Sequence, residues 1–476
     1  GQKSKKCYGL PPELSRHNRT GVARGGWPNL KASAPMTGKE PHQTFLHSIQ
    51  VQEHRGMLKI WNMSLVLMTF LLTIFATFLT RSGLIESVHS FAQELRIAYI
   101  FLGFMGSVLA GCVVLIVYRL PQLRSENQIE SFLSRESAFL FNNLILLGAA
   151  FAVMWGTMFP LISEGVTGQA ISVGPPFFQR VNFPIGIVLL ALIGIGPVIA
   201  WRRATRRNLQ KNFAIPVIVG VGVAVVIWGS GARHGLALTV WGISAFVLTV
   251  IATEFWKGTR ARSQIEGEGY ALAFFHLISR NRRRWGGYIV HVGIVVMFMA
   301  FAGAAYNVDE RFHVEPGDRV DVASPLGHVY TLTYEGLSIN LNNGDRNLLW
   351  QAIATVSIER NGEPKGIRTT EKRQYTTNIG NPPMTEVGVR STPFEDLYLI
   401  LSALDDPQAA VRADSEAQGL DLQVLVKPLV GWIWFGCLTL VLGTLVALWP
   451  SVDPRRVTGA VPADAAPEPA AVGTAD

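Results

Sequence analysis

Apolar and polar positions alternate along this chain on the scale of whole helices. Apolar runs of about 20 residues recur at 60–80, 97–118, 138–162, 183–201, 213–229, 235–256, 286–306 and 429–449. Each is long enough to cross a hydrocarbon core of ~30 Å as a helix, in which every backbone polar group is bonded internally. Between the last two runs lies a polar stretch whose period changes from that of a helix to that of a strand. There, 329–334 reads Val-Tyr-Thr-Leu-Thr-Tyr, and 352–358 leads into an Asn361-Gly362 hairpin turn. The pattern predicts an all-α polytopic membrane bundle with an inserted β-rich extracytoplasmic domain. Its expected divisions are a basic leader at 1–41, helices within 42–306, the β-rich domain at 307–427, a final transmembrane helix at 428–450 and a disordered tail at 451–476. The 42–306 bundle opens with the end of one truncated helix and continues with seven more.

Composition agrees with a membrane protein and charge orients it. Hydrophobic residues make up 49% of the chain and charged ones only 16%, too apolar for a soluble protein of this length. A formal net charge of +8 invites a nucleic-acid reading, but the cations are not spread as a binding stripe. Seventeen Lys and Arg fall in alternate connections, from Arg55 and Lys59 to the dense group Lys257–Arg284, against four (Arg81, Arg96, Arg180, Arg233) in the short loops on the other side. The positive-inside rule puts the arginine-rich connections in the cytoplasm and the polar insertion outside, and leaves no case for nucleic acid.

Residues 1–41 break this pattern. They are rich in Lys, Arg, Gly and Pro, with no apolar periodicity and no signal-peptide core. Residues 44–49 (Thr-Phe-Leu-His-Ser-Ile) then read as the last turns of an apolar helix whose earlier part is missing. We therefore expect an N-terminally truncated or disrupted product. The three cysteines, Cys7, Cys112 and Cys437, form no Cys-x-x-Cys pair, so neither thiol exchange by that motif nor covalent c-type haem on this chain has support. No phosphate loop, dinucleotide fingerprint or nucleophile elbow occurs.

Three histidines remain as candidate chemistry. His89 follows the charged end of the 60–80 run in an amphipathic stretch between Val88 and Phe91. An imidazole at a membrane surface among apolar side chains suits an axial ligand to a haem lying on that surface, and it also suits a loop histidine with no task. His47 lies eight residues before Arg55, and His291 seven residues after Arg284. At ~1.5 Å rise per residue both sit roughly 10–12 Å inside the same membrane face. Ionisable groups at that depth are costly and need partners. Two such imidazoles can hold one b-type haem, or each can bond a carbonyl or hydroxyl of a neighbouring helix. His276 falls in an interfacial amphipathic stretch at 270–278. His313 and His328 lie in the polar domain without metal-site spacing. Trp201, Trp256, Trp285 and Trp449, at helix ends, read as interfacial belt residues.

The segments Phe45-Leu46-His47-Ser48, Val51-Gln52-Glu53-His54-Arg55-Gly56, Gly83-Leu84-Ile85-Glu86-Ser87-Val88-His89-Ser90-Phe91-Ala92 and Trp285-Gly286-Gly287-Tyr288-Ile289-Val290-His291, with 42 residues between His47 and His89, resemble the CcmF family. These are haem-lyase membrane subunits of system I cytochrome c maturation, with NrfE-type paralogues. The resemblance covers roughly residues 43–450. It implies that His47 and His291 are axial ligands of haem b, and that His89 is the second of two external ligands to delivered haem. It further implies the haem chaperone CcmE, CcmH and in some systems CcmI, and apocytochrome c as partners, in a bacterial inner membrane with His89 and 307–427 periplasmic. The family's Trp-rich haem-handling segment and first external histidine would precede His47, where residues 1–41 stand instead. Catalytic residues stay unknown. The other readings open at this point are a b-type cytochrome carrying electrons and a secondary or haem transporter.

Overall fold

A computed structural model describes residues 45–81, 95–124, 131–199, 205–406 and 419–450, apart from gaps at 46, 50, 54–55, 133, 172, 342–343, 345–346 and 379–381. His89, the leader 1–41 and the tail 451–476 lie outside the described residues. The chain divides into two compact units, Gly1–Gln210 and Lys211–Asp476. Among the described residues eight helices are long and apolar enough to cross a membrane. They fall on the eight apolar runs, and the chain is a multi-pass membrane protein.

In the first unit the described positions within 45–53 are helical. They are followed by α1 (Lys59–Arg81), α2 (Leu95–Tyr118), a single turn α3 (Leu120–Leu123), α4 (Arg135–Thr167) and α5 (Pro175–Ile195). Local chemistry sets several of these ends. Ser134 caps α4 by accepting from the backbone N–H of Ser137 at 3.2 Å, and Gly168 closes it in the left-handed region at φ 75°. At 33 residues, α4 is ~50 Å long and outreaches the hydrocarbon core. α5 starts well before the apolar run at 183, because two prolines fit a first turn whose N–H groups need no partner.

α6 (Arg206–Gly229) spans the division between the units. The second unit continues with α7 (Gly235–Glu266), α8 (Tyr270–Arg280), α9 (Arg282–Gly303) and, after the polar domain, α10 (Val430–Leu448). α9 and α10 are antiparallel and meet along glycines. A Cβ at Gly293 would stand 2.6 Å from the Gly436 carbonyl oxygen, and one at Gly286 would stand 2.6 Å from the Ala447 nitrogen. Small residues spaced by seven on both helices bring the backbones together, which lipid alone would not drive. The Gly220–Val221–Gly222 stretch plays the same part on α6, where a Gly220 Cβ would stand 2.7 Å from the Gly242 carbonyl oxygen of α7.

One tryptophan departs from expectation. Trp256 and Trp449 are more than half exposed, as belt residues are, but Trp285 is 4% exposed. Its ring packs on Phe255 at 4.7 Å and Tyr288 at 5.5 Å. The side chain points from the first turn of α9 at α7, so contact with protein replaces contact with the interface.

Between α9 and α10 the chain forms a β-sandwich. One sheet has strand order β1 (Val308–Val314), β9 (Leu420–Pro428), β8 (Glu395–Leu404), β7 (Gly388–Ser391). The other runs β2 (Arg319–Ala323), β3 (Val329–Leu341), β4 (Leu348–Arg360), β5 (Glu363–Tyr375), β6 (Met384–Glu386). All pairings are antiparallel. The alternation at 329–334 places Tyr330, Leu332 and Tyr334 inward, at 1% exposure or less. Asn361 and Gly362, at φ 51° and 80°, make the β4–β5 turn. The interior is built from Val, Leu, Ile and Ala of both sheets, including Val356, Leu399 and Val424. The sandwich stands at the end of α9 opposite its arginines. It is tied to the start of α10 by Leu429 N–H donating to the Phe394 carbonyl at 2.7 Å and Trp432 Nε1–H donating to the Pro393 carbonyl at 2.9 Å.

Candidate functional site

His47 and His291 belong to different units, and each is described within its own. In the first unit a buried polar network fixes the turn that carries His47. The Ser48 hydroxyl, fully buried, bonds Asn62 Oδ1, and Asn62 Nδ2 donates to Gln52 Oε1 at 2.6 Å. The network ties the helical residues around His47 to the start of α1. The imidazole of His47 lies with its ring centroid 6.0 Å from that of Phe139 on α4. Sequence reading missed Ser48, Gln52 and Asn62. The available signal was polar residues inside otherwise apolar helices, since a buried amide demands a partner. The same unit contains an apolar cavity of about 380 Å³ lined by α1, α2 and α4 side chains, among them Met68, Met105 and Met154.

In the second unit α9 packs against two neighbours. Gly286 and Gly293 meet α10, and Trp285, Tyr288 and the carbonyl of Met299 meet α7, the last by accepting from Trp241 Nε1 at 3.1 Å. With ~100° per residue, His291 lies about 140–160° around the helix from the glycine seam and about 60° from Tyr288, away from α10. Gly287 stands one turn before it, and a Cβ built at Gly287 meets nothing within 4 Å. A flat macrocycle ligated by His291 would need room of this kind one turn away, so Gly287 fits a haem. His89 lies outside the described residues. Among the described residues no group of three or more His, Cys, Asp or Glu side chains is placed to hold a bare metal ion.

The sandwich holds a polar cluster that its sequence does not announce. Glu395 is 1% exposed at the start of β8. It accepts from Tyr330 Oη at 2.6 Å and Ser324 Oγ at 2.5 Å, and it contacts His328 Nε2. Burial, and then the bond to Glu395, push the Tyr330 hydroxyl up to about 12. Spacings of 65 and 71 residues hide this cluster from motif reading.

Residues 305–416 match the family model of the CcmF C-terminal β-sandwich. The chain is 32% identical over 413 residues to the cytochrome c-type biogenesis protein CcmF of Pseudomonas fluorescens, which covers 84% of this chain and 56% of that protein. With CcmF of Escherichia coli K12 the identity is 28% over 431 residues, 89% of this chain and 60% of that one. The chain belongs to the CcmF family. The NrfE protein of Haemophilus influenzae is 24% identical over 420 residues, covering 85% of this chain and 58% of its own. The solved structure of the cytochrome c haem lyase CcmF superposes with a TM-score of 0.66 at 25% identity, over 88% of this chain and 59% of that one. This chain therefore spans a little under three-fifths of the length of the CcmF proteins it matches. The helical bundle with a sandwich before the last helix is the CcmF architecture over that length.

Proposed function

We propose that this chain is a haem-handling membrane subunit for c-type cytochrome biogenesis, which receives haem and takes part in joining it to the Cys-x-x-Cys-His thiols of apocytochrome c. The observation that carries this reading is a likeness running through 84% of the chain to a cytochrome c-type biogenesis protein, shared in fold with a haem lyase. In this reading His47 and His291 are axial ligands of haem b, and His89 is an external ligand to haem in transit. The open space beside Gly287, one turn before His291, supports His291. The Ser48–Asn62–Gln52 network, which holds the His47 turn in one orientation, supports His47. A neutral imidazole offers one ring nitrogen to iron while the other keeps a hydrogen-bond partner. When bound, haem supplies the vinyl groups to which cysteine sulfur adds, the thiol proton going to the adjacent vinyl carbon.

The proposed setting is a bacterial inner membrane, with the arginine-rich connections cytoplasmic and His89 and the sandwich periplasmic. The charge asymmetry supports it, as does the placement of arginines and sandwich at opposite ends of α9. The proposed partners are the haem chaperone CcmE, CcmH with or without CcmI, and apocytochrome c. The test is a pyridine haemochrome spectrum of the full chain purified from haem-replete cells. We expect a non-covalent b-type spectrum; a folded, haem-free chain contradicts the reading.

A further inference from the structure

At the arginine-rich end of the second unit, α7, α8 and α9 line an open cavity of about 650 Å³, within the range of small-ligand sites. Lys257, Arg262, Arg280 and Arg284 reach it, with Glu254 and Trp285. The nearby carboxylates do not balance these cations. Glu254 serves both Arg284 at 3.2 Å and Lys257 at 3.6 Å. Arg262 is engaged by Glu268 at 3.1 Å, and Glu268 also bonds His276 Nδ1 at 2.9 Å. Arg280 meets Glu266 only at 3.9 Å and is 77% exposed. Four cations thus face three carboxylates.

One further feature adds positive potential and another adds apolar surface. The first turn of α9 contains Arg282, Arg283 and Arg284 and no acidic residue. A helix N-terminus, the positive end of its macrodipole, favours anions, and of these three only Arg284 lines the cavity, where it shares Glu254 with Lys257. Beside it lies apolar surface. Trp256 stacks flat on Tyr270 with centroids 5.7 Å apart and planes 4° apart, and both rings are more than half exposed. Leu272 and Phe275 of α8 are likewise exposed. An anion-hungry cavity rimmed by exposed aromatic and aliphatic side chains at the end of membrane-crossing helices matches a ligand with one charged and one apolar part.

We propose that this cavity binds the phosphate headgroup of an anionic glycerophospholipid, whose acyl chains lie along the Trp256–Tyr270–Phe275 surface. Arg280 and Lys257, at 77% and 50% exposure, turn toward the phosphate, Arg280 from its partner Glu266 and Lys257 from Glu254 and Asn212, and Arg284 lines the same cavity. The ligand offsets the excess positive charge of the cavity and pins α8 against α7 and α9.

The experiment uses the full chain in a neutral detergent, with dioleoylphosphatidylglycerol, dioleoylphosphatidylcholine and inorganic phosphate as separate probes. Lipid retention is read by native mass spectrometry and unfolding by a thermal scan. The phosphatidylglycerol is expected to be retained and to raise the unfolding temperature, while phosphatidylcholine and phosphate alone do neither. Lys257→Gln with Arg280→Gln should weaken retention about thirtyfold, given the contribution of each cation near an anionic headgroup. Arg280→Gln alone, at an exposed position that folding tolerates, should show a smaller loss. Arg119→Gln with Arg124→Gln, at the ends of α3 in the first unit, should leave retention unchanged. Equal retention of both lipids, undiminished retention by the Lys257/Arg280 variant, or equal stabilisation by inorganic phosphate would overturn the proposal.

Discussion

Glu395 is buried with Tyr330, Ser324 and His328 around its carboxylate, so its removal strands several polar groups inside the sandwich. Glu395→Ala is expected to destabilise the protein by about 3 kcal/mol, because buried donors left without an acceptor lose more than an ordinary hydrogen bond is worth. Thermal unfolding of the variant against Glu395→Gln, which keeps an acceptor oxygen, checks this; equal stability of the alanine variant would contradict it. His313 makes a pH-dependent pair on the sandwich surface. Its Nδ1 bonds Asp421 at 3.1 Å, Nε2 faces Asp405 at 3.6 Å, and the two carboxylates, Asp421 first, hold its pKa above the ordinary imidazole value. A raised folded-state pKa means the contribution is complete below the unfolded value of about 6.5 and fades as pH rises through the folded one. An NMR titration of His313 should give that elevation, and Asp421→Asn should remove most of it. Such pairs escape sequence reading because their members are 65 to 108 residues apart. The candidate histidines were legible, because an imidazole inside an apolar run is conspicuous by its cost.

Among the elements, α9 carries the most specific expectations. Gly293→Leu should push α9 from α10, since even a Cβ there meets backbone at 2.6 Å; overpacking of this kind costs typically 1–3 kcal/mol. Gly287→Ala should be tolerated, its Cβ meeting nothing within 4 Å, whereas Gly287→Leu should fold normally and retain less haem. Thermal stability and haem content of the three variants separate these outcomes, and a Gly293→Leu protein as stable as the parent would contradict the packing account. The eight spans were readable because the bilayer imposes length and apolarity on every crossing helix. The β3 strand and the Asn361–Gly362 turn were readable because alternation and positive φ leave local marks. The α9–α10 seam was not, since a helix full of small and apolar residues does not say which face a partner will take. Trp285 shows the same limit: its place near a helix end suggested the interface, and the neighbouring helix decided otherwise.

For the molecule as a whole, the fold class followed from hydropathy period and charge carries the proposed orientation, whereas the proposed function needed the His47, His89 and His291 segments and the likeness to CcmF. If the proposed topology holds, protease added to right-side-out vesicles cuts the sandwich and spares the α5–α6 connection; the reverse pattern contradicts it. The central claim is that His47 and His291 ligate haem b, and the visible absorption spectrum of the full chain in membranes tests it most directly. His47→Ala and His291→Ala should each remove or shift the b-type Soret band while the chain still inserts at parental levels, and an unchanged spectrum in both variants would contradict the account.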